Sequence, residues 1–218
     1  MVKLKEILLI ASILIASTVF TQNSEPVLVK EFEDIKVYEV ENAHGNVNRI
    51  IARAKFNANY MDILCLLKDS DNHKNWIYAN KGGFILDSIS PYKWVYYSIS
   101  ETPVLLADRD FITDVELTVD QSKKSILVHS VGNPKYKPEV KDLVRIQMID
   151  SRWTIVKIDE THSEAELNLL IDVGGSLPSW LVNMFIANGP FNSFKNMKEQ
   201  LKLPKYRHCK CGYDNLIN

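Results

Sequence analysis

The sequence predicts an α+β domain: one antiparallel β-sheet, dry on one face, with a helix near each end. Three observations carry this reading. Apolar and polar residues alternate through most segments between Asn46 and Asp172, the period of half-buried strands. Short runs such as "DQSKK" and "GNPKYKP" separate these segments and hold the residues that turns use. Helical spacing of apolar residues is found in "ANYMDILCLLKD" and again after Gly175. At 218 residues, with no internal repeat or low-complexity linker, a single domain is expected. Such a chain buries a core without staples.

The first element is an address. Lys3 and Lys5 precede an uncharged stretch over residues 7–21, and the polar run "QNSE" follows. A basic start, about 15 apolar residues and then polar ones describe a secretory signal peptide. The stretch is shorter than the roughly 20 residues that span a bilayer, which favours export, periplasmic or secreted, over an anchor. An anchor remains if the signal is not cleaved. Cleavage is expected near Thr21, with the domain over residues 25–204 and a C-terminal tail over 205–218.

"FEDIKVYEV" and "NVNRIIARAKF" then read as a hairpin joined by "ENAHG". In the second strand Ile50, Ala52, Ala54 and Phe56 alternate with Arg49, Arg53 and Lys55. The helix "ANYMDILCLLKD" follows, with Met61, Leu64 and Cys65 on one face. From Gly82 the chain reads as a meander: "GGFILDSI", "YKWVYYSI", "RDFITDVELTVD", "KSILVHSV", "LVRIQMID", "RWTIVKID" and "EAELNLLID". A "DS" turn is expected between the fifth and sixth strands. Phe111, Thr113, Val115, Leu117 and Val119 share one face, as do Val144, Ile146 and Met148, and Ala165, Leu167, Leu169 and Ile171. One face is dry and one wet, as in an antiparallel sheet covered on one side.

The cover is "GGSLPSWLVNMFIANGPFNSFKNMKEQLK". Ser176 suits an N-cap and Pro178 a first turn. Trp180, Leu181, Met184 and Phe185, then Phe191, Phe194, Met197 and Leu201, form an apolar stripe. Gly189-Pro190 predicts a kink or short break, since proline lacks the amide and clashes with the preceding turn.

Composition narrows the function. With 26 basic and 27 acidic residues no global field favours nucleic acid. The 21 aromatic residues would line a sizeable cavity or fill an ordinary core. Three cysteines do not make a disulfide framework. Cys65 reads as a small buried hydrophobe. "RHCKCG" invites a metal hypothesis, but structural zinc usually needs a second ligand pair, and a frayed tail is the expectation. No metal or other cofactor is implied.

"RDFI" opening a strand, "GNP" and "VRIQ" further on, and "GGSLPSWLVNMFIANGPFNSFKNMKEQL" together resemble a START (StAR-related lipid transfer) domain over about residues 30–204. The resemblance implies a helix-grip fold, a curved antiparallel sheet wrapped around a long C-terminal helix, with a tunnel for one sterol, phospholipid or other apolar molecule. It also places "RDF" at the start of a central strand. Arg109 and Asp110 then fix the strand entrance, neither deeply buried, while Phe111 turns inward. The inward series after Asp110 holds no charge, so no charged headgroup site is carried over.

These observations describe an exported monomer that binds, and in one version transfers, a lipid or other apolar small molecule, with transient membrane contact. Binding rests on burial, at about 25 cal/mol per Å² of apolar surface. The expected ligand-binding residues are Trp94, Phe111, Thr113, Val115, Ile146, Met148, Leu169, Leu181 and Phe185, with no catalytic set. Two alternatives stay open: a cyclase- or hydrolase-type enzyme on the same fold, and an interaction module with a filled core. For the enzyme, four of the five histidines fall in loops or outside the sheet. His129, beside Leu127 and Val131 on its strand, is the one with an interior option. Residues 176–188 or the adjoining loops are the expected lid.

Overall fold

The computed structural model describes residues 25–41, 47–103, 106–175, 177, 179–213 and 216–217; for 179–181 and 183–187 it describes the backbone alone. The expected signal segment, Ser176 and Pro178 lie outside the described residues.

The described strands are β1 (Val27–Phe32), β2 (Ile35–Val40), β3 (Arg49–Phe56), β4 (Asn80–Ser90), β5 (Lys93–Ser100), β6 (Asp108–Asp120), β7 (Ser125–Gly132), β8 (Leu143–Arg145), β9 (Met148–Lys157) and β10 (Ser163–Asp172). The helices are α1 (Tyr60–Lys68), α2 (His73–Trp76) and α3 (Ser179–Gln200). The strands form one open sheet in the order β1-β2-β3-β10-β9-β7-β6-β5-β4, with β8 running parallel beside β6. Apart from β8, each strand from β4 to β10 lies next to its successor, so the meander stands. The N-terminal hairpin joins through β3, which pairs with β10.

Local chemistry sets the boundaries. Asn59 caps α1, its Oδ1 accepting from the Met61 amide at 2.9 Å. Ile63, Leu64 and Leu66 are fully buried on that helix. Of "FEDIKVYEV" only Ile35–Val40 is the expected strand, β2; Glu33, at φ 54°, turns the chain there, and a further strand, β1, precedes it and pairs with β2. "LVRIQMID" and "RWTIVKID" also divide differently. No turn forms at Asp150-Ser151; β9 runs straight through, and the break falls at Ile146-Gln147. Pairing to β7 and β10 on both sides outweighs the turn preference of Asp-Ser.

α3 packs on β1 to β3 and on α2. Phe191, Phe194 and Met197 are buried in the core, Phe194 stacked on Trp153 at 5.2 Å. Contrary to the expected break, the helix continues through Gly189-Pro190. One carbonyl in that stretch finds a side-chain donor: Ser193 Oγ bonds Gly189 O at 2.8 Å. The tail is not frayed. Tyr206, Tyr213, Leu216 and Ile217 are buried, and Cys209 forms a disulfide with Cys65. The reading of Cys65 as an unpaired hydrophobe is therefore corrected. Spacing along the chain gave no hint of a partner 144 residues away.

Candidate functional site

The sheet pairing builds the site. Side chains directly opposite each other on neighbouring strands share a face. Trp94 stands opposite Val115, Val115 opposite Ser130, Ser130 opposite Ser151, Ser151 opposite Leu169, and Leu169 opposite Ile50. All six line one cavity of about 660 Å³. A flanking row holds Tyr96, Thr113, Ile149 and Ile171, and another holds Val128, Trp153 and Leu167. α2, the start of β4 and α3 close the cavity over this floor, through Trp76, Asn80, Val182 and Pro190 among others.

Of the expected ligand-binding residues, Trp94, Phe111, Thr113, Val115, Ile146 and Leu169 line the cavity. Met148 does not; it is 39 % exposed on the outer face. Its assignment assumed alternation through an unbroken strand. The break at Ile146-Gln147 changes the phase, so Ile149 and Ser151 point inward instead. The side chains of Leu181 and Phe185 lie outside the described residues. His129 also faces outward, its Nε2 2.8 Å from Asp150 Oδ1.

Three consecutive charges, Asp108, Arg109 and Asp110, open β6 at one end of the cavity. Asp108 accepts from the Thr102 amide at 2.9 Å and pairs with Lys81 at 2.8 Å. Asp110 is fully buried, and Arg145 grips it with two bonds of 2.9 and 2.8 Å. The same guanidinium donates to the carbonyls of Pro134, Lys137 and Pro138. "RDF", "GNP" and "VR" are thus one device that clamps the β7–β8 loop onto β6. Hydrogen bonding to Asp110 raises the Arg145 pKa. The expectation of shallow charges at this entrance is overturned.

Arg109 is also only 6 % exposed, and it lines the cavity. Its bonds all run to neutral oxygens: Ala107 O at 2.5 Å, Thr102 Oγ1 at 3.2 Å, and Val173 O and Gly174 O at 3.4 Å each. Burial lowers its pKa. Thr102, Val173, Gly174, Gly175 and Leu177 surround this end, with Glu101 and Asp172 toward solvent. The sequence reading missed Arg109 because it started the inward series after Asp110. Counting back by twos from Phe111 reaches it.

His73, read as lying outside the sheet, also lines the cavity. Nε2 is 2.9 Å from Leu67 O, which makes it the donor. Nδ1 then accepts from Tyr96 Oη at 2.7 Å. Burial lowers the His73 pKa and pushes the Tyr96 phenol up to about 12. Both ring nitrogens are committed, so neither is free to take a proton from a ligand. Gly83 makes room here, since a Cβ there would collide with the Tyr96 hydroxyl. At the cavity wall near Trp94, the Lys68 ammonium lies 5.3 Å from the indole and donates to Tyr213 Oη at 2.8 Å. Among the described residues no group of side chains has metal-ligand geometry.

A curved antiparallel sheet closed over by a C-terminal helix, with an apolar chamber between them, defines the helix-grip class. The chain belongs to the START domain family, whose pattern matches residues 19–207. A protein of Pseudomonas aeruginosa is 26 % identical over 78 % of this chain and 84 % of its own length. The phosphatidylcholine transfer protein of Mus musculus is 27 % identical over 59 % of this chain and 61 % of its own. Among solved structures, the STAR-related lipid transfer protein of Xanthomonas axonopodis superposes with a TM-score of 0.75 at 24 % identity, covering 82 % of this chain and 99 % of that one. Human StAR-related lipid transfer protein 5 gives 0.73 at 15 % identity, covering 81 % and 86 %.

Proposed function

We propose that this protein is an exported carrier that holds one acidic, amphipathic lipid, with the chain in the cavity and the head against Arg109. The observation that carries this is a buried guanidinium, without an acidic partner among its hydrogen bonds, at one end of an otherwise largely apolar chamber. A buried charge is costly unless paired, so an anionic head there supplies what the protein does not. The cavity volume falls within the range of about 300–1,000 Å³ usual for small-molecule sites. An unfilled chamber speaks for a carrier over an interaction module with a packed core. The engaged nitrogens of His73 speak for binding over catalysis. The lipid transfer proteins among its relatives agree with both. Export is supported by the disulfide, since such bonds persist in oxidising compartments.

Mass spectrometry of an organic extract of the purified protein tests the reading. The expected result is a lipid with a phosphate or carboxylate head, close to one per chain. In parallel, Arg109→Gln is expected to weaken octadecanoate binding about tenfold or more while octadecanol binding is kept. A protein that yields no lipid and takes up neither compound overturns it.

A further inference from the structure

The middle of the cavity floor is not apolar. Ser130 and Ser151 face each other across β7 and β9, both half-buried and both lining the cavity. Among the described residues neither hydroxyl has a hydrogen-bond partner. Thr113 lies diagonally from Ser130, since Thr113 pairs with Gly132 and Ser130 with Val115. Directly opposed and diagonal neighbours lie about 5 and 8 Å apart, so three hydroxyls form one patch. Thr113 is only 1 % exposed, and its Oγ1 has no partner. Trp76 also lines the cavity, from the helix that closes it, edge-on to Trp153 at 5.9 Å and to His73 at 5.5 Å. Its Nε1 is buried and unpartnered as well. Buried polar groups are rarely left unpaired, because each costs about 1–3 kcal/mol. Two such atoms and two open serines around one cavity need an explanation that packing does not give.

The chemistry of the patch is specific. Indole N–H only donates, and hydroxyls both donate and accept. The nearby ionisable pair, His73 and Tyr96, is satisfied internally. The patch therefore suits a neutral oxygen that accepts, and nothing in it balances a charge. It also has a fixed place relative to Arg109. Thr113 is four residues further along β6, about 13 Å at the rise of a strand. Between them stands Phe111, also on the wall. The Arg109 side chain bonds back toward Ala107, away from Thr113.

We propose that this patch is a second, uncharged polar subsite, which selects a lipid bearing a hydroxyl or keto oxygen partway along its chain, well separated from the acidic head. The inference rests on the acidic-lipid reading above and narrows it. Octadecanoic acid and its 12-hydroxy and 2-hydroxy derivatives are suitable probes, competing with a fluorescent fatty acid for the intact protein. The 12-hydroxy acid is expected to bind roughly five- to tenfold tighter than the parent, the value of about one buried neutral hydrogen bond. The 2-hydroxy acid, with its oxygen beside the head, gains nothing. In the variant combining Thr113→Val, Ser130→Ala and Ser151→Ala the ratio of the 12-hydroxy affinity to the octadecanoate affinity falls to about one, whatever the absolute affinities, and circular dichroism reports folding. Should that variant not fold, Ser151→Ala alone is expected to shrink the advantage. A wild-type protein that binds octadecanoate but does not favour the 12-hydroxy acid overturns the subsite and leaves the acidic-lipid reading standing. So does an advantage that survives every substitution. Failure of all three acids to bind overturns both.

Discussion

Asp110 and Arg145 show how one buried pair organises two distant segments. Such a pair contributes little over apolar residues of the same shape, but removing one partner strands the other charge. Asp110→Ala is therefore expected to cost about 3–5 kcal/mol, read as a lower urea midpoint. His73 gives a second expectation at this scale. Burial sets its folded pKa below the ordinary value of 6.5, so the unfolded chain binds the proton more readily. Its contribution to stability is complete above that value and is lost as pH falls from there through the lower folded pKa. Urea midpoints across this window should decline toward acid in the wild type. In His73→Gln the decline should be shallower. Parallel profiles would assign the acid sensitivity to other groups.

Two elements hold the protein's C-terminal end. The tail is tied to α1 by Cys65–Cys209 and packs Tyr206 and Tyr213 into the core. Cross-linking residues 144 apart removes much freedom from the unfolded chain, ~5 kcal/mol on the chain-entropy account. Cys209→Ser is expected to lower stability by about 2–5 kcal/mol, and reductant should bring the wild type to the same melting temperature. α3 is anchored by Phe191, Phe194 and Met197 in its second half. We expect residues 179–188 to open as the lid, because helix-to-sheet contacts part at lower cost than a ladder of paired strands. Hydrogen exchange checks this: these amides should exchange faster than those of β6, and slow when octadecanoate is added. Equal protection in both places would put the gate elsewhere.

At the scale of the whole molecule, the open curved sheet brings residues from five strands into the row that runs from Trp94 to Leu169. Curvature and the closing helices turn that row into a chamber rather than a flat core. No helix among the described residues is long and apolar enough to cross a membrane. Residues 7–21 are proposed as the signal segment, so protein from the native host should begin between about residues 17 and 24. N-terminal sequencing decides this, and an intact Met1 on membrane-bound material would point to an anchor instead.

Strand alternation alone placed Phe111, Thr113, Val115 and Leu169 on the inner face, because a period of two repeats along each strand. The motifs "RDF", "GNP" and "VR" were legible as a family pattern, yet their convergence on the Asp110–Arg145 pair was not. That contact joins residues 35 apart, and local patterning carries no information about such distances. Met148 went wrong for a related reason: a one-residue irregularity inverts the faces, and pairing with neighbouring strands decides where it falls. Likewise the disulfide, the inward turn of His73 and the run of α3 through Pro190 were fixed by tertiary packing. The sequence by itself determined most of the strands, which face is dry and what family the chain resembles. Only the tertiary structure decided that the dry face encloses a chamber with a charge at one end and hydroxyls at its centre, because that depends on how distant strands align.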